Sequence, residues 1–309
     1  MIAVIHNPNA KQNRKHPERV HALRKIIEGK GTLYETHSIS EVRPVAETCL
    51  EKGTAVVGVN GGDGSLQFAM TLFAEVYGGA PMPSFVVMRG GTMNTVANGL
   101  GIKGTPETIL KRVVEGLSGK RPLTRMKNQV LNANGHLGFM SGAAVVVNFL
   151  DAYFGASSQG PMQAVKMGFQ LAGSTLSGGP YAKKMFEPKK LSITVDGEPL
   201  AEEAFSVVLG CTVEDISMGC RATHRAYEKK GAFHFLACSL GPLEIVRQMP
   251  RLWAGKEIVH PKMHASKPAE CVTIKNPDGP VRWMLDGERM EDDVLTLRIW
   301  GEVELVWGV

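Results

Sequence analysis

The chain has 309 residues, 43% of them hydrophobic and 21% charged, with a formal net charge of +5. That is an ordinary soluble composition, and the length suggests two domains. The small charge excess and the lack of a recognisable motif argue against nucleic-acid binding, and no stretch of about 18 uncharged apolar residues reads as a transmembrane helix. The opening MIAVIHNPNAK turns polar too quickly for a signal peptide and reads as a strand. The five cysteines, Cys49, Cys211, Cys220, Cys238 and Cys271, are scattered without a CxxC pair. This argues for a reduced, cytoplasmic compartment and against a zinc site.

Along the first 120 or so residues, short apolar runs alternate with helical patterns. Residues 2–5 are a predicted strand. Residues 17–28 read as a helix with Pro17 in its first turn and Val20, Leu23, Ile26 and Ile27 on one side. A strand at 32–36, a helix at 42–52 ending before Gly53, and a buried strand at 54–59 follow. Then come a helix at 65–77, a strand at 84–88, and helices at 92–100 and 106–117. Strands alternating with helices predict a parallel sheet covered on both faces, with right-handed crossovers. After about residue 124 the texture becomes β-rich. Strands are predicted at 130–132, 137–140, 143–147, 191–195, 205–209, 233–237, 271–274, 281–285, 294–299 and 303–307. Asp196-Gly197, Asp278-Gly279 and Asp286-Gly287 supply turns between several of them. The expected layout is an α/β domain over 1–123, onto which 296–309 pack back, and a β-rich sandwich over 124–295 with a helical insertion at 162–176.

The stretch VNGGDGSLQF, residues 59–68, follows a buried strand and feeds a helix. Glycines there let backbone N–H groups approach an anion, and the helix offers its positive end. Asp63 would repel phosphate unless a metal lies between them or unless it works as an acid or base. The bland alternative is a tight turn in which Asp63 caps the helix. A second loop, RGGTMNTVANGLGI at 89–102, repeats the construction, with Thr92 and Asn94 after a glycine pair. Both loops fall at the C-terminal ends of strands, where open α/β sheets bind ligands.

GGDGS followed by GGTMNTVANGLGI resembles the diacylglycerol kinase catalytic-domain family, shared with sphingosine and ceramide kinases. HNPNAK matches the family's N-P-x-x-G start at Asn7 and Pro8, and MLDGERM matches its D-G-E motif. The resemblance implies an α/β N-terminal domain with a parallel sheet of the phosphofructokinase and NAD-kinase type. It implies an ATP-dependent kinase that uses Mg²⁺ to phosphorylate a hydroxyl of diacylglycerol, sphingosine or a related lipid. Phosphoryl transfer needs a phosphate cradle, a metal to neutralise charge and a base to orient the alcohol. By resemblance Asn7, Thr36, Gly61, Gly62, Asp63, Gly64, Ser65, Thr92 and Asn94 bind nucleotide. Asp63, Asp286 and Glu288 are the catalytic acids. Asp63 and Glu288 reach the nucleotide's Mg²⁺, and either Asp286 or Glu288 is the base. Asp286-Gly287-Glu288 read alone is a hairpin turn. The second Asp-Gly-Glu, at Asp196, Gly197 and Glu198, reads as a turn with no catalytic part.

The sequence departs from the family pattern at several positions. Ser65, Gln67 and Phe68 replace Thr, Asn and Glu, and Thr95 replaces Asp. Thr124 and Lys230 stand where two further acids are expected, and a charged lysine ammonium cannot bind a metal. A degenerate member that binds nucleotide or lipid without turnover is therefore the alternative. NAD kinase, whose G-x-L-G-F loop resembles GHLGFMSG at 135–142, is the second alternative. The partners implied are a lipid substrate and transient peripheral contact with the inner membrane face, and a homodimer is compatible with this reading. Residues 153–186 combine Gly, Met and Phe with Lys183 and Lys184, as a surface resting on an anionic bilayer would. The plainer reading of that segment is a core helix plus a surface loop.

Overall fold

Strands β1 (Ile2–His6), β3 (Val56–Asn60) and β4 (Ser84–Val87) are buried at every position, as expected of parallel strands covered on both faces. The computed structural model describes residues 1–92, 94–156, 161–216 and 219–308, the side chains of 161 and 164 excepted. Two compact units divide the chain, Met1–Asn128 with Glu302–Val309, and Gln129–Gly301.

In the first unit, β2 (Gly31–Glu35), β1, β3 and β4 lie side by side in that order, all parallel. Between them run α1 (Lys11–Lys15), α2 (Arg19–Ile27), α3 (Val42–Glu51), α4 (Asp63–Tyr77), α5 (Thr95–Gly99) and α6 (Pro106–Leu117). Thr105 caps α6 by accepting from the Thr108 N–H at 3.3 Å, with Pro106 in the first turn. Leu305, near the chain's end, pairs parallel with Phe85 of β4.

The second unit contains most of β5 (Leu123–Ala133), then β6 (His136–Gly138), β7 (Met140–Ala144), α7 (Val145–Phe154), α8 (Pro161–Leu176) and α9 (Pro180–Met185). There follow β8 (Lys189–Lys190), β9 (Ser192–Val195), β10 (Glu198–Pro199), β11 (Ala204–Phe205), β12 (Val207–Cys211) and β13 (Phe233–Cys238). After α10 (Pro242–Trp253) come β14 (Met263–Ala269), β15 (Cys271–Lys275), β16 (Val281–Leu285), β17 (Glu288–Asp292) and β18 (Val294–Gly308). One sheet runs β14-β13-β12-β7-β16-β17, antiparallel throughout. A second runs β10-β9-β15-β18, also antiparallel. The last residues of β18, from Glu302 onward, belong to the first unit, where Leu305 is the parallel partner of β4. Phe233, Phe235 and Trp283 of the first sheet share a core with Ile193, Val272 and Leu297 of the second. The first sheet's other face is covered by helices, through Leu209, Leu236, Met185 and Leu252.

Several expectations change, among them the strand at 130–132, which runs over Leu123–Ala133, and the absence of a strand where β14 lies. The strand expected at 143–147 ends at Ala144, and Val145–Phe154 is α7. Val145, Val146 and Phe149 pack on the helical-side core, and that packing outweighs the β preference of the valine run. The helix expected from residue 92 starts at Thr95, because Asn94 is left-handed at φ 50°. The strands expected at 294–299 and 303–307 are one continuous strand. Helix α10 was not predicted, although Gly241-Pro242 with Glu244 carries a start signal: the Glu244 carboxylate accepts from the Gly241 N–H at 2.6 Å.

Candidate functional site

The predicted residues fall into two groups, one in each unit. The first lies where β1, β3 and β4 end. Helix α4 begins at Asp63 with Gly62 at its N-cap, and no side chain caps it. Its first-turn N–H groups are therefore a place for an anion.

None of Gly61, Gly62, Gly64, Gly90 or Gly91 has a positive φ, so backbone freedom is not why glycine is there. Space is the reason at three of them, since a Cβ on Gly61 would stand 2.3 Å from both the Ser65 Cβ and Oγ. A Cβ on Gly91 would stand 2.3 Å from the Gly62 Cα, and one on Gly90 would stand 2.5 Å from Asn60 Oδ1. The two glycine pairs pack backbone against backbone and form one structure.

Polar side chains tie this structure to β1 and β3. Asn7 Nδ2 donates to Ser65 Oγ at 3.0 Å, and its Oδ1 accepts from the Asn9 N–H at 2.9 Å. Buried Asn13 donates to the carbonyls of Asn7 at 2.8 Å and Asn60 at 2.9 Å. Arg19, paired with Glu107 at 2.6 Å, donates to Asn13 Oδ1 and fixes its orientation. Asn60 Nδ2 lies 2.8 Å from His6 Nδ1. Burial lowers the His6 pKa and keeps the imidazole neutral. Asn60 Oδ1 is buried and, among the described residues, has no hydrogen-bond partner.

Asp63 does something that the sequence did not reveal. Its carboxylate accepts from the N–H groups of Thr95 at 2.9 Å and Val96 at 3.2 Å. It therefore caps α5, the helix of the second loop, and not the helix that it begins. Thr95 also bonds this carboxylate through its side chain. Burial pushes the Asp63 pKa up, while these hydrogen bonds pull the other way. Asn94 closes its own turn, accepting from the Gly91 N–H at 3.1 Å and donating to the Gly91 carbonyl at 3.3 Å. Arg89, also left-handed at φ 58°, braces the far end of α5 through Asn98 and the Ile102 carbonyl. Thr92 is half-buried beside Gly91. Thr36 is buried just beyond β2, its N–H donating to the His6 carbonyl at 2.9 Å.

The second group is the hairpin between β16 and β17. Asp286 at φ 47° and Gly287 at φ 90° make the tight turn, and Leu285 faces Glu288 across it. The Asp286 side chain is buried. Both of its oxygens accept from the Phe139 N–H at 3.0–3.1 Å, and Oδ1 also accepts from the Met140 N–H at 2.9 Å. These donors belong to GHLGFMSG, the segment read as resembling an NAD-kinase loop. Here its backbone cradles Asp286. A Cβ on Gly138 would stand 2.8 Å from Asp286 Oδ2. Cys211 lies near this carboxylate, and burial pushes its thiol up to about 12, so it stays protonated. Glu288 is exposed. On α7, Asp151 pairs with Arg282 at 2.8 Å and Arg289 at 3.2 Å, one arginine on each strand of the hairpin.

The other Asp-Gly-Glu has the same backbone, with Asp196 at φ 53° and Gly197 at φ 89°. Asp196 accepts from the N–H groups of Glu270 and Cys271, each at 2.8 Å, but in an exposed setting. At Lys230-Gly231 the chain makes a turn whose Gly231 N–H donates to Gln129 Oε1, and Lys229 beside it pairs with Glu270. Among the described residues no group of three or more His, Cys, Asp or Glu side chains is placed to hold a metal ion.

The family model of the diacylglycerol kinase catalytic domain matches residues 1–126. In structure the chain is similar to a candidate diacylglycerol kinase from Bacillus anthracis str. Sterne, with a TM-score of 0.70 at 15% identity over 99% of this chain and 96% of that one. It is also similar to a diacylglycerol kinase from the same organism, with a TM-score of 0.64 at 14% identity and the same coverage. No curated protein matches the chain. At such identity the structural likeness concerns the fold alone.

Proposed function

We propose that the protein is an ATP-dependent lipid kinase, a reading supported by the match of residues 1–126 to the family model of the diacylglycerol kinase catalytic domain. It transfers a phosphoryl group to a hydroxyl of diacylglycerol, sphingosine or a related lipid. The observation that carries this reading is the paired glycine structure, Gly62 against Gly91, at the uncapped start of α4.

Nucleotide and magnesium fit that place. The α4 N-terminus has backbone donors without a side-chain cap, and the glycines leave the space that a Cβ would fill. ATP with Mg²⁺, when bound, supplies the phosphoryl group and neutralises its charge. Gly61–Ser65 and Thr92 bind the phosphates, with Asn7 holding Ser65 in place. Asp63 fixes the second loop against the first and lies within the same loop as the phosphate donors. A cation with few protein ligands suits magnesium, which keeps waters and relies on substrate phosphates. Asp286 and Glu288 supply carboxylates for the acceptor hydroxyl. Asp286 is held by Phe139 and Met140, and Glu288 is exposed. One of them takes the hydroxyl proton as the new P–O bond forms and the bond from the γ-phosphorus to the bridging oxygen breaks, with ADP leaving.

A second reading has its own support. Asp63 serves as a cap, and both oxygens of Asp286 accept backbone N–H groups, so both acids have structural work. A member that binds nucleotide or lipid without turnover would keep them for that reason. The deciding experiment offers the protein γ-labelled ATP, Mg²⁺ and a panel of diacylglycerol, sphingosine and related lipids, with ATP binding followed in parallel by thermal shift. A labelled lipid is expected. ATP binding with no labelled product from any lipid would replace the kinase reading with the binding reading.

A further inference from the structure

The hairpin that carries Asp286 and Glu288 lies at the rim of its sheet. Among the described residues β17 pairs with β16 alone, with Leu285 opposite Glu288 and Met284 opposite Arg289. A short strand at an edge lacks the second row of hydrogen bonds that holds an inner strand. Helix α7 supplies a substitute. Asp151 Oδ1 accepts from Arg282 Nη2 at 3.0 Å and from Arg289 Nη1 at 3.2 Å, and Oδ2 accepts from Arg282 Nη2 at 2.8 Å. One carboxylate thus ties both strands of the hairpin to one helix. The Arg289 guanidinium also lies over the Phe154 ring, 4.8 Å from its centroid, about one turn further along α7. Burial opposes the charge on Asp151, but the hydrogen bonds and charges of the two arginines outweigh it and hold the carboxyl below its ordinary value.

The same stretch of chain holds the hairpin a second time. Phe139 and Met140 give their N–H groups to the Asp286 carboxylate, and the Met140 carbonyl accepts from the Asp286 N–H at 2.9 Å. Between the two attachments β7 turns into α7 at Ala144, where φ is 58° and ψ is −116°. A residue with a Cβ is strained in that conformation, and such strain persists only where the surroundings fix the backbone. We infer that Asp151 is a positioning residue for the acids of this hairpin. Through Arg282 and Arg289 it sets where the Glu288 end of β17 stands, while Phe139 and Met140 set Asp286. Glu288 is exposed on an edge strand, and the residue that follows it, Arg289, is the one held. Without Asp151 the two guanidiniums on neighbouring strands would lose the anion that joins them, and like charges across a ladder push strands apart. The inference rests on the lipid-kinase reading for what the hairpin does, whereas the clamp itself does not.

The test uses the full chain, with kinetics and amide hydrogen exchange read on the same samples. Asp151→Asn keeps the shape of the side chain and removes its charge. With labelled ATP, Mg²⁺ and the lipid that wild type labels best, it should lose roughly tenfold or more in kcat at unchanged KM for ATP, because a displaced acid slows the chemical step and leaves nucleotide binding intact. Asp151→Glu keeps the carboxylate and should recover much of that loss. Glu291→Gln, exposed on β17 outside the clamp, is the control and should match wild type. Exchange over residues 281–292 should be faster in Asp151→Asn, with the rest of the chain unchanged. Unchanged kcat, or unchanged exchange over 281–292, would overturn the inference. So would a fall in kcat that came with a raised KM for ATP, faster exchange throughout and no recovery in Asp151→Glu, since Asp151 would then serve stability alone. If wild type labels no lipid, the kinase reading falls by itself. Exchange over 281–292 then decides the clamp, which stands if Asp151→Asn exchanges faster there and fails if it matches wild type.

Discussion

Replacing Asp63 in two ways separates its two tasks. Its carboxylate holds the Thr95 and Val96 N–H groups at the start of α5. Asp63→Ala leaves both donors without that partner. Loss of a helix cap costs about 0.5–2 kcal/mol, and a poorly solvated N–H adds about 1 kcal/mol or more. The expected loss is about 2 kcal/mol, or roughly 5–10 °C in melting temperature for a unit of this size. Asp63→Asn keeps one acceptor oxygen and removes a charge that burial disfavours, so its cost should stay under about 1 kcal/mol. The pH dependence follows from the direction of the shift. The Asp63 pKa is raised on folding, so the native state holds its proton longer than the unfolded chain. The stability that it contributes is therefore largest in acid, below the usual value of 3.8, and declines as pH rises through the folded value. Wild type should gain on Asp63→Asn as pH falls from neutral. Urea unfolding across pH reads the stability, and labelled ATP with lipid reads the activity. Asp63→Asn should keep the fold and lose turnover. An unchanged melting temperature in Asp63→Ala would refute the cap, and full turnover in Asp63→Asn would refute the functional role.

Gly91→Ala should cost at least about 2 kcal/mol and weaken ATP binding in a thermal-shift assay, because its Cβ would stand 2.3 Å from the Gly62 backbone. Gly168→Ala, in α8 with open space around it, is the control and should gain about 0.5–1 kcal/mol. Asp286→Asn should abolish phosphoryl transfer and lower the melting temperature, whereas Asp196→Asn should leave the rate nearly unchanged; a lost rate in the latter would mean that the other Asp-Gly-Glu is the working one. Burial lowers the His234 pKa from 6.5 to about 4, so folding favours the neutral ring. Its contribution to stability is full above pH 6.5 and is lost as pH falls toward about 4, on the order of 3 kcal/mol in all. Urea unfolding of wild type and His234→Gln over that range should converge toward acid, and parallel curves would contradict this.

The sequence shows the first unit well because its signals are local. A strand buried on both faces is a run of apolar residues, and a glycine pair before a helix marks a loop. The strands near residues 2, 32, 54 and 84 and the long helices all appear close to their expected places. The second unit is harder to read, because its helices rest on tertiary packing. Val145 and Val146 have the side chains of a strand, and a core of Leu209, Leu236 and Met185 makes them part of a helix. The glycine loops were visible as a motif, but the reason for their glycines was not. Phosphate access was expected, and contact between the loops is what the structure displays.

What remained hidden at the site is partnership across long separations in sequence. The two Asp-Gly-Glu hairpins have the same letters, the same left-handed aspartate and the same glycine, so local structure cannot tell them apart. Each aspartate even accepts two successive backbone N–H groups. The difference lies in the setting. Asp196 holds an exposed strand end, where water can replace any lost bond, and a surface hydrogen bond there is worth little. Asp286 is buried beneath a backbone that starts some 146 residues earlier, with Gly138 leaving room for its oxygen. A buried carboxylate without donors would be costly, so the Phe139 and Met140 N–H groups are what allow an acid to stand there. The same logic applies to Asp63. It can remain in a crowded loop because α5 begins at its carboxylate, and α5 begins there because Asn94 takes a left-handed turn. In both groups the acid and its donors must be present together. For that reason a one-residue motif match, without its distant N–H partners, is weak evidence that either acid is in working position.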